Sequence, residues 1–143
     1  MGQPRAASFL HAKMNAFLVG SAGVPARCVV NISLGSGRRP IAGSGAYCAG
    51  KAGIDMASRV AALKVEAAGS PVTITSLAPG IVDTATQVAA RGATEAQIPD
   101  VEGFRAFESE AMLKTAGEVA RKIIALERAG KLPPGITGLR ELA

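Results

Sequence analysis

Apolar runs separated by glycine and proline divide the chain into alternating strands and helices. A nearly continuous apolar run at 27–33 predicts a strand covered on both faces, as in parallel sheets. A second strand is predicted at 71–77, with Pro71 at its first residue, where no ladder donor is needed. After the turn at 133–135, a short final strand is predicted at 136–140.

The segments between these strands have helical patterns. A long Ala-rich run without proline predicts one helix over 45–68, and helical spacing of apolar residues predicts another at 9–19. Residues 87–114 predict a short helix, a turn and a second helix, and a capping-box pattern at 115–118 starts a helix that ends at Ala129. Strands alternating with helices predict an α/β fold with three parallel strands joined by right-handed crossovers.

Composition limits the classes of function. The chain has 143 residues, the size of one domain, and a formal charge of +5 that is spread along the sequence, with one Tyr and no Trp. A nucleic-acid surface is therefore not expected. Cys28 and Cys48 make neither a disulfide framework nor a metal site. The chain has no apolar run of about 20 residues, so we expect no membrane span and a cytoplasmic location.

The stretch Gly45–Gly53 carries the most informative chemistry. Tyr47 and Lys51 are four residues apart and therefore share one face of the predicted helix. A phenol has an ordinary pKa of about 10, and a neighbouring ammonium lowers it by stabilising the phenolate. The pair can then act as a general acid toward a carbonyl oxygen. An isolated pair of this kind is also common on solvated helix faces, so both interpretations stay open on spacing alone.

The surrounding motifs resemble the short-chain dehydrogenase/reductase family, most like its sepiapterin reductase and benzil reductase branch. The resemblance rests on Asn31-Ile32-Ser33, Pro40, the segment 46–52 and the segment 79–84 in this order. It runs from about Asn15 to near the C-terminus and matches only the C-terminal part of the family's fold. It implies one partial Rossmann-like domain over 1–143, a three-layer parallel sheet with flanking helices. The family's N-terminal cofactor-binding βαβ half has no match in this sequence.

The resemblance implies a carbonyl reductase that uses NAD(P)H to reduce a small ketone or diketone, and NADPH is the expected form of the cofactor. Tyr47 would protonate the carbonyl oxygen, and Lys51 would lower the pKa of Tyr47 and bind the nicotinamide ribose. Residues implied to bind the cofactor are Tyr47, Lys51, Pro79, Gly80, Ile81 and Thr84.

One position departs from the family pattern. The family's catalytic Ser stands thirteen residues before the Tyr, and that position here is Leu34, which has no hydrogen-bond donor in its side chain. Loss of such a donor costs about two to three orders of magnitude in rate. Ser36, two residues on, is the candidate replacement in the catalytic set. Ser33 ranks lower because adjacent strand residues point to opposite faces. The alternative hypothesis is a catalytically inactive fragment or pseudoenzyme that acts as an oligomerisation partner.

Two further expectations come from the resemblance. Residues 87–114 occupy the position of a mobile lid over the substrate, although their apolar face could equally be ordinary core. The helix that carries Tyr47 and Lys51 forms the main dimer contact in the family, which implies a homodimer or homotetramer. Residues 1–8 are expected to be a frayed end.

Overall fold

The computed structural model describes residues 28–142. The frayed end predicted at 1–8 and the helix predicted at 9–19 lie outside the described residues. The elements in chain order are β1 Cys28–Ile32, a 3-10 turn Gly35–Gly37, α1 Gly45–Ala67, β2 Thr73–Ala78, β3 Val82–Asp83, α2 Ala85–Arg91, α3 Val101–Ser109, β4 Lys114–Thr115, α4 Ala116–Arg128 and β5 Gly135–Gly138.

The main sheet is parallel, with β2 in the centre and β1 and β5 on either side. Val30 lies opposite Thr75 across the first pair, and Leu77 lies opposite Thr137 across the second. This confirms the three predicted parallel strands. The short strands β3 and β4 form a second, separate parallel pair. Among residues 28–142, no strand pairs with the other side of β1.

The sheet lies between two layers of helix. Alternate residues of β2 face opposite sides of the sheet and therefore contact different layers. Ile74 belongs to an apolar cluster on the α1 side, and Leu77 belongs to a cluster on the α4 side. The buried members on the α1 side are Ala61, Val65, Val72 and Ile74. Those on the α4 side are Leu77, Val119, Leu126, Leu132 and Leu139. The predicted three-layer α/β architecture is therefore confirmed.

The helix boundaries agree closely with the sequence pattern. Helix α1 ends one residue earlier than predicted, at Ala67. The capping box at the start of α4 is present, since Thr115 accepts from the backbone of Glu118 and the Glu118 side chain accepts from the backbone of Thr115. Region 87–114 contains the end of one helix, a turn and a second helix, as predicted.

A buried polar cluster joins α1 to the sheet and to the loop that follows β1. Asp55 on α1 is 5% exposed and accepts a hydrogen bond from the Ser76 hydroxyl of β2 at 2.6 Å. Arg38 in the loop donates from Nε to Asp55 at 3.2 Å and from Nη2 to the carbonyl of Thr137 in β5 at 3.3 Å. One carboxylate and one guanidinium therefore connect the loop to α1 and to two strands.

The charge of Asp55 is stabilised inside this cluster. Burial raises the pKa of Asp55, but the hydroxyls of Ser33 and Ser76 and the guanidinium of Arg38 lower it by more, so the pKa lies below its ordinary value of 3.8. The Ser33 hydroxyl makes no hydrogen bond of normal geometry among the described residues. Ser76 and Arg38, which do bond to Asp55, are therefore the main groups that lower its pKa. The folded protein therefore favours the ionised carboxylate.

We predict that Ile74→Ala lowers the free energy of unfolding by about 2–5 kcal/mol, because Ile74 is 1% exposed and its loss leaves a cavity beneath α1. The matched control is Ile124→Ala, at a side chain that is 48% exposed, with an expected change below about 0.5 kcal/mol. Urea denaturation followed by circular dichroism measures both. Equal losses in the two variants would contradict this assignment of the core.

We predict that Asp55→Asn destabilises the protein at pH 7 by about 1–3 kcal/mol, because Arg38 loses its charged partner. A carboxyl with a lowered pKa in the folded state stabilises the protein above the unfolded pKa, and this contribution is lost as the pH falls through the folded pKa. The stability of the variant should therefore fall less steeply than that of the wild type below about pH 4.

The control for this experiment is Asp83→Asn, at a side chain that is 54% exposed, for which we expect less than about 1 kcal/mol at pH 7. Denaturation curves between pH 3 and pH 7 measure both variants. An Asp55→Asn curve that runs parallel to the wild-type curve over this range would contradict the role of Asp55.

Candidate active site

Tyr47 and Lys51 lie on one face of the first two turns of α1, as the spacing predicts. The Lys51 ammonium lies 5.7 Å from the centre of the Tyr47 ring. It also donates a hydrogen bond to the carbonyl of Ile32, at the end of β1, at 3.1 Å. The last residue of a parallel strand thus fixes the cation beside the phenol. Tyr47 itself is 41% exposed and accessible to a ligand.

The loop after β1 packs closely against this part of α1. A Cβ atom on Gly37 would lie 2.9 Å from the backbone carbonyl carbon of Lys51, so only glycine fits at that position. Arg38 holds the same loop to Asp55, one turn further along α1 from Lys51. The loop that contains Leu34 and Ser36 is therefore fixed to the helix that carries the catalytic pair.

The segment after β2 turns at Gly80, whose φ of +91° is in the left-handed region that favours glycine. Thr84 is the N-cap residue of α2, but its side chain makes no capping hydrogen bond. The Thr84 hydroxyl is therefore not committed to the end of the helix. The carbonyl of Ile81 accepts from the backbone of Lys114 at 3.0 Å.

Tyr47 and Lys51 open onto a cavity of about 390 Å³, which we call the catalytic cavity after the chemistry expected of this pair. Its lining includes Tyr47, Lys51, Pro79, Gly80 and Thr84, so the structure brings together five of the residues that the sequence singled out. The remaining lining residues are Ile32, Ser33, Leu34, Val82, Thr86, Gln87, Ala116, Val119, Ala120 and Ile123.

A second cavity of about 610 Å³ lies on the other side of Leu34, between the 34–42 loop, α3 and the end of β5. It contains the other two residues proposed from the sequence, Ser36 and Ile81. Ser36 is 4% exposed, and its hydroxyl has no hydrogen-bond partner among the described residues. The apolar and aromatic part of its lining includes Pro40, Ile41, Phe104, Phe107 and Met112.

The two cavities share three lining residues, namely Leu34, Gly80 and Gln87. Leu34 contributes an apolar side chain and Gly80 contributes none. Oε1 of Gln87 is buried and has no hydrogen-bond partner within residues 28–142. The two cavities therefore adjoin along a boundary at which one side chain, Gln87, carries polar atoms.

Sequence reasoning missed three polar residues at or beneath this site, and a local signal existed for two of them. Gln87 is three residues after Thr84 and Asp55 is four residues after Lys51, so helical spacing alone placed each beside a recognised residue. Arg38 was visible only as part of a basic pair. Its partner Asp55 is distant in sequence, and local patterns do not report such pairings.

The described part of the chain contains neither a group of metal-binding side chains nor a helix that could span a membrane. Residues 28–142 contain no group of three His, Cys, Asp or Glu side chains placed to hold a metal ion. No helix in the same range is sufficiently long and apolar to cross a membrane.

Comparison with known proteins agrees with this geometry. A family model described as short chain dehydrogenase matches residues 11–95. A benzil reductase ((S)-benzoin forming) from Bacillus cereus is 36% identical over 107 residues, and the match covers 75% of this chain and 43% of the relative. A second benzil reductase ((S)-benzoin forming), from Bacillus subtilis (strain 168), is 32% identical over 104 residues, which are 73% of this chain and 43% of the relative.

The chain thus spans less than half the length of these curated relatives. The family match nevertheless covers more than half of the 143 residues and includes the Tyr47–Lys51 helix and the turn at Gly80. The sequence match and the parallel three-layer fold together show that the chain belongs to the short-chain dehydrogenase/reductase family.

Proposed function

We propose that this chain carries the catalytic centre of a carbonyl reductase that uses NADPH to reduce a small ketone or diketone. The observation that carries the proposal is the placement of Tyr47 and Lys51 in one cavity with Gly80 and Thr84. The names of the two Bacillus relatives support a diketone as the substrate class. The second cavity would hold the body of such a molecule against its apolar part, which includes Phe104 and Phe107. Its lining also carries the charged residues Arg38, Arg39, Asp100, Arg140 and Glu141.

The catalytic cavity fits the nicotinamide end of the cofactor. Ile32, Pro79 and Val82 offer apolar contact for a flat ring, while Thr84 and Lys51 offer donors for its carboxamide and ribose. The net charge of +5 suits a phosphorylated ligand. No glycine-rich pyrophosphate turn of the G-x-G-x-x-G kind occurs in the sequence, so the chain's residues account for one end of the cofactor.

The proposed chemistry assigns a role to each member of the pair. A nicotinamide held by Lys51 and Thr84 would supply a hydride to the carbonyl carbon. The π electron pair moves to the oxygen, which takes the phenolic proton of Tyr47. Lys51, held by the carbonyl of Ile32, places a positive charge beside the ring and stabilises the phenolate that remains. Solvent then returns a proton to Tyr47, and the ketone has become an alcohol.

Three further features complete the proposal. Ser36 remains a candidate catalytic donor for a substrate in the second cavity, where its buried hydroxyl has no partner among the described residues. Residues 87–114 remain a candidate lid, whose helices α2 and α3 are joined by an ion pair between Arg91 and Glu108 at 3.4 Å. Three other expectations remain predictions from the sequence. They are a small-molecule substrate, no nucleic-acid or membrane partner, and a cytoplasmic location.

A second candidate function is a catalytically inactive oligomerisation partner. Leu34, at the position of the family's catalytic Ser, favours it, because this side chain borders both cavities and has no donor. An apolar stripe on α1 supports oligomerisation under either hypothesis. Met56, Val60 and Leu63 are 56%, 41% and 65% exposed and recur at helical spacing. We propose a homodimer or homotetramer formed through this face.

We predict that Tyr47→Phe lowers kcat for benzil reduction with NADPH by at least about 100-fold, because the ring remains but the transferable proton is lost. Absorbance of NADPH at about 340 nm, a property of the reduced nicotinamide, follows the reaction. Far-ultraviolet circular dichroism and the fluorescence of bound NADPH should be unchanged. A variant as active as the wild type would refute the proposed mechanism, and wild-type inactivity with intact fold would favour the second candidate function.

We predict that the wild-type chain is an oligomer in solution and that Val60→Glu dissociates it, because the new carboxylate would be buried against a second copy. Val88→Glu is the matched control, at a position on α2 that is 58% exposed and outside the stripe. Light scattering coupled to size exclusion measures the mass. A monomeric wild type, or two variants with the same mass, would contradict the proposed interface.

A further inference from the structure

We propose that the side-chain amide of Gln87 binds the oxygen of the substrate carbonyl group and so supplies the hydrogen bond that Leu34 cannot donate. The inference rests on the proposed reductase function, in which the substrate oxygen meets Tyr47 in the catalytic cavity and the rest of the substrate occupies the second cavity. It assigns to helix α2 a contact that the family places on the loop after β1.

The position of Gln87 is the first argument. A molecule whose oxygen reaches Tyr47 and whose body lies in the second cavity must cross the boundary between the two cavities. Three residues line both sides of that boundary, and Leu34 and Gly80 have no polar side-chain atom. Gln87 is therefore the residue common to both cavities that has a side-chain hydrogen-bond donor.

The hydrogen-bond state of Gln87 is the second argument. Oε1 of Gln87 is buried without a partner among the described residues. An unpaired buried acceptor is costly, and such groups normally have partners in folded proteins. A ketone has no hydrogen to donate to this oxygen, but the hydroxyl of the alcohol product at the boundary would provide the partner. The amide also suits both ends of the reaction, since its NH2 can donate to a ketone oxygen and its own oxygen can accept from the alcohol product.

The other hydroxyls near the site are less well placed. Ser33 lines the catalytic cavity but not the second cavity, and its hydroxyl lies beside the Asp55 carboxylate. Ser36 lines the second cavity but not the cavity that contains Tyr47. Thr84 and Thr86 line the catalytic cavity alone, on the side implied to hold the nicotinamide. Gln87 is three residues beyond Thr84 on the same helix, which brings it to the boundary.

The experiment measures binding and catalysis separately, with benzil as the probe. The control ligand is 1,2-diphenylethane, which has the same two rings and no oxygen. Gln87→Leu should weaken benzil binding about five- to tenfold, the effect of one hydrogen bond, and leave the Kd of 1,2-diphenylethane unchanged. It should also lower kcat about 100-fold, the effect of losing one oxyanion donor, with an unchanged Kd for NADPH.

Two further variants separate loss of the contact from loss of the fold. Gln87→Glu keeps the size of the side chain and, when ionised, only accepts hydrogen bonds, so it should show the same losses. Leu34→Ser restores the family's donor, and Gln87→Leu should then cost less than about tenfold in kcat, because the two donors serve one oxygen. Arg128→Leu is the control, at an exposed position in the last turn of α4 and outside both cavities, and should leave every constant unchanged.

Each result has a distinct meaning. Weaker benzil binding in both Gln87 variants, with intact circular dichroism, supports the contact. If the wild-type chain binds benzil through Gln87 but neither binds NADPH nor reduces the diketone, the contact stands and the reductase function fails. Equal Kd and kcat values for benzil in the wild type and the Gln87 variants overturn the contact. A loss in Ser36→Ala without a loss in the Gln87 variants also overturns it and assigns the role to Ser36.

Discussion

The ion pair between the buried carboxylate of Asp55 and the partly exposed guanidinium of Arg38 determines how the parts of this site are arranged. The proposed catalysis needs groups from a helix and from a strand end to meet, and those elements are joined by a glycine-containing loop. Asp55 connects the loop to α1 and β2, and Arg38 extends the connection to β5. A single buried charge thus positions the loop relative to Tyr47 and Lys51. The cost of burying that charge is offset by the hydroxyls and the guanidinium around it.

Most of the fold followed from local pattern, because strands covered on both faces and long amphipathic helices have clear periods. The strand at 27–33, the helix from Gly45 and the capping box at Thr115 were predicted within one or two residues of their observed limits. The Tyr47–Lys51 spacing also predicted a real contact. These features depend on residues that are close in sequence.

The site was less predictable because its polar contacts join distant segments. Asp55 and Ser76 are 21 residues apart, and Arg38 and Thr137 are 99 residues apart. The division of the site into two cavities depends on how α2, α3 and the loop after β1 pack around Leu34, which no local pattern reports. Sequence reasoning recognised Leu34 as a lost donor. Its position on the boundary between the cavities emerged from the structure.

That boundary explains how a family fold can tolerate leucine at this position. Positions 34 and 87 line the same two cavities. Under the proposed contact, a hydroxyl at position 34 and the amide of Gln87 would serve one substrate oxygen, so the loss of one donor would leave the other. The side chain of Gln87 is longer and has more rotatable bonds than that of a serine, so it loses more conformational freedom when it binds. Its advantage is that it can both donate and accept. Leucine also makes the wall beside the substrate apolar, which favours aryl groups over hydrated ones.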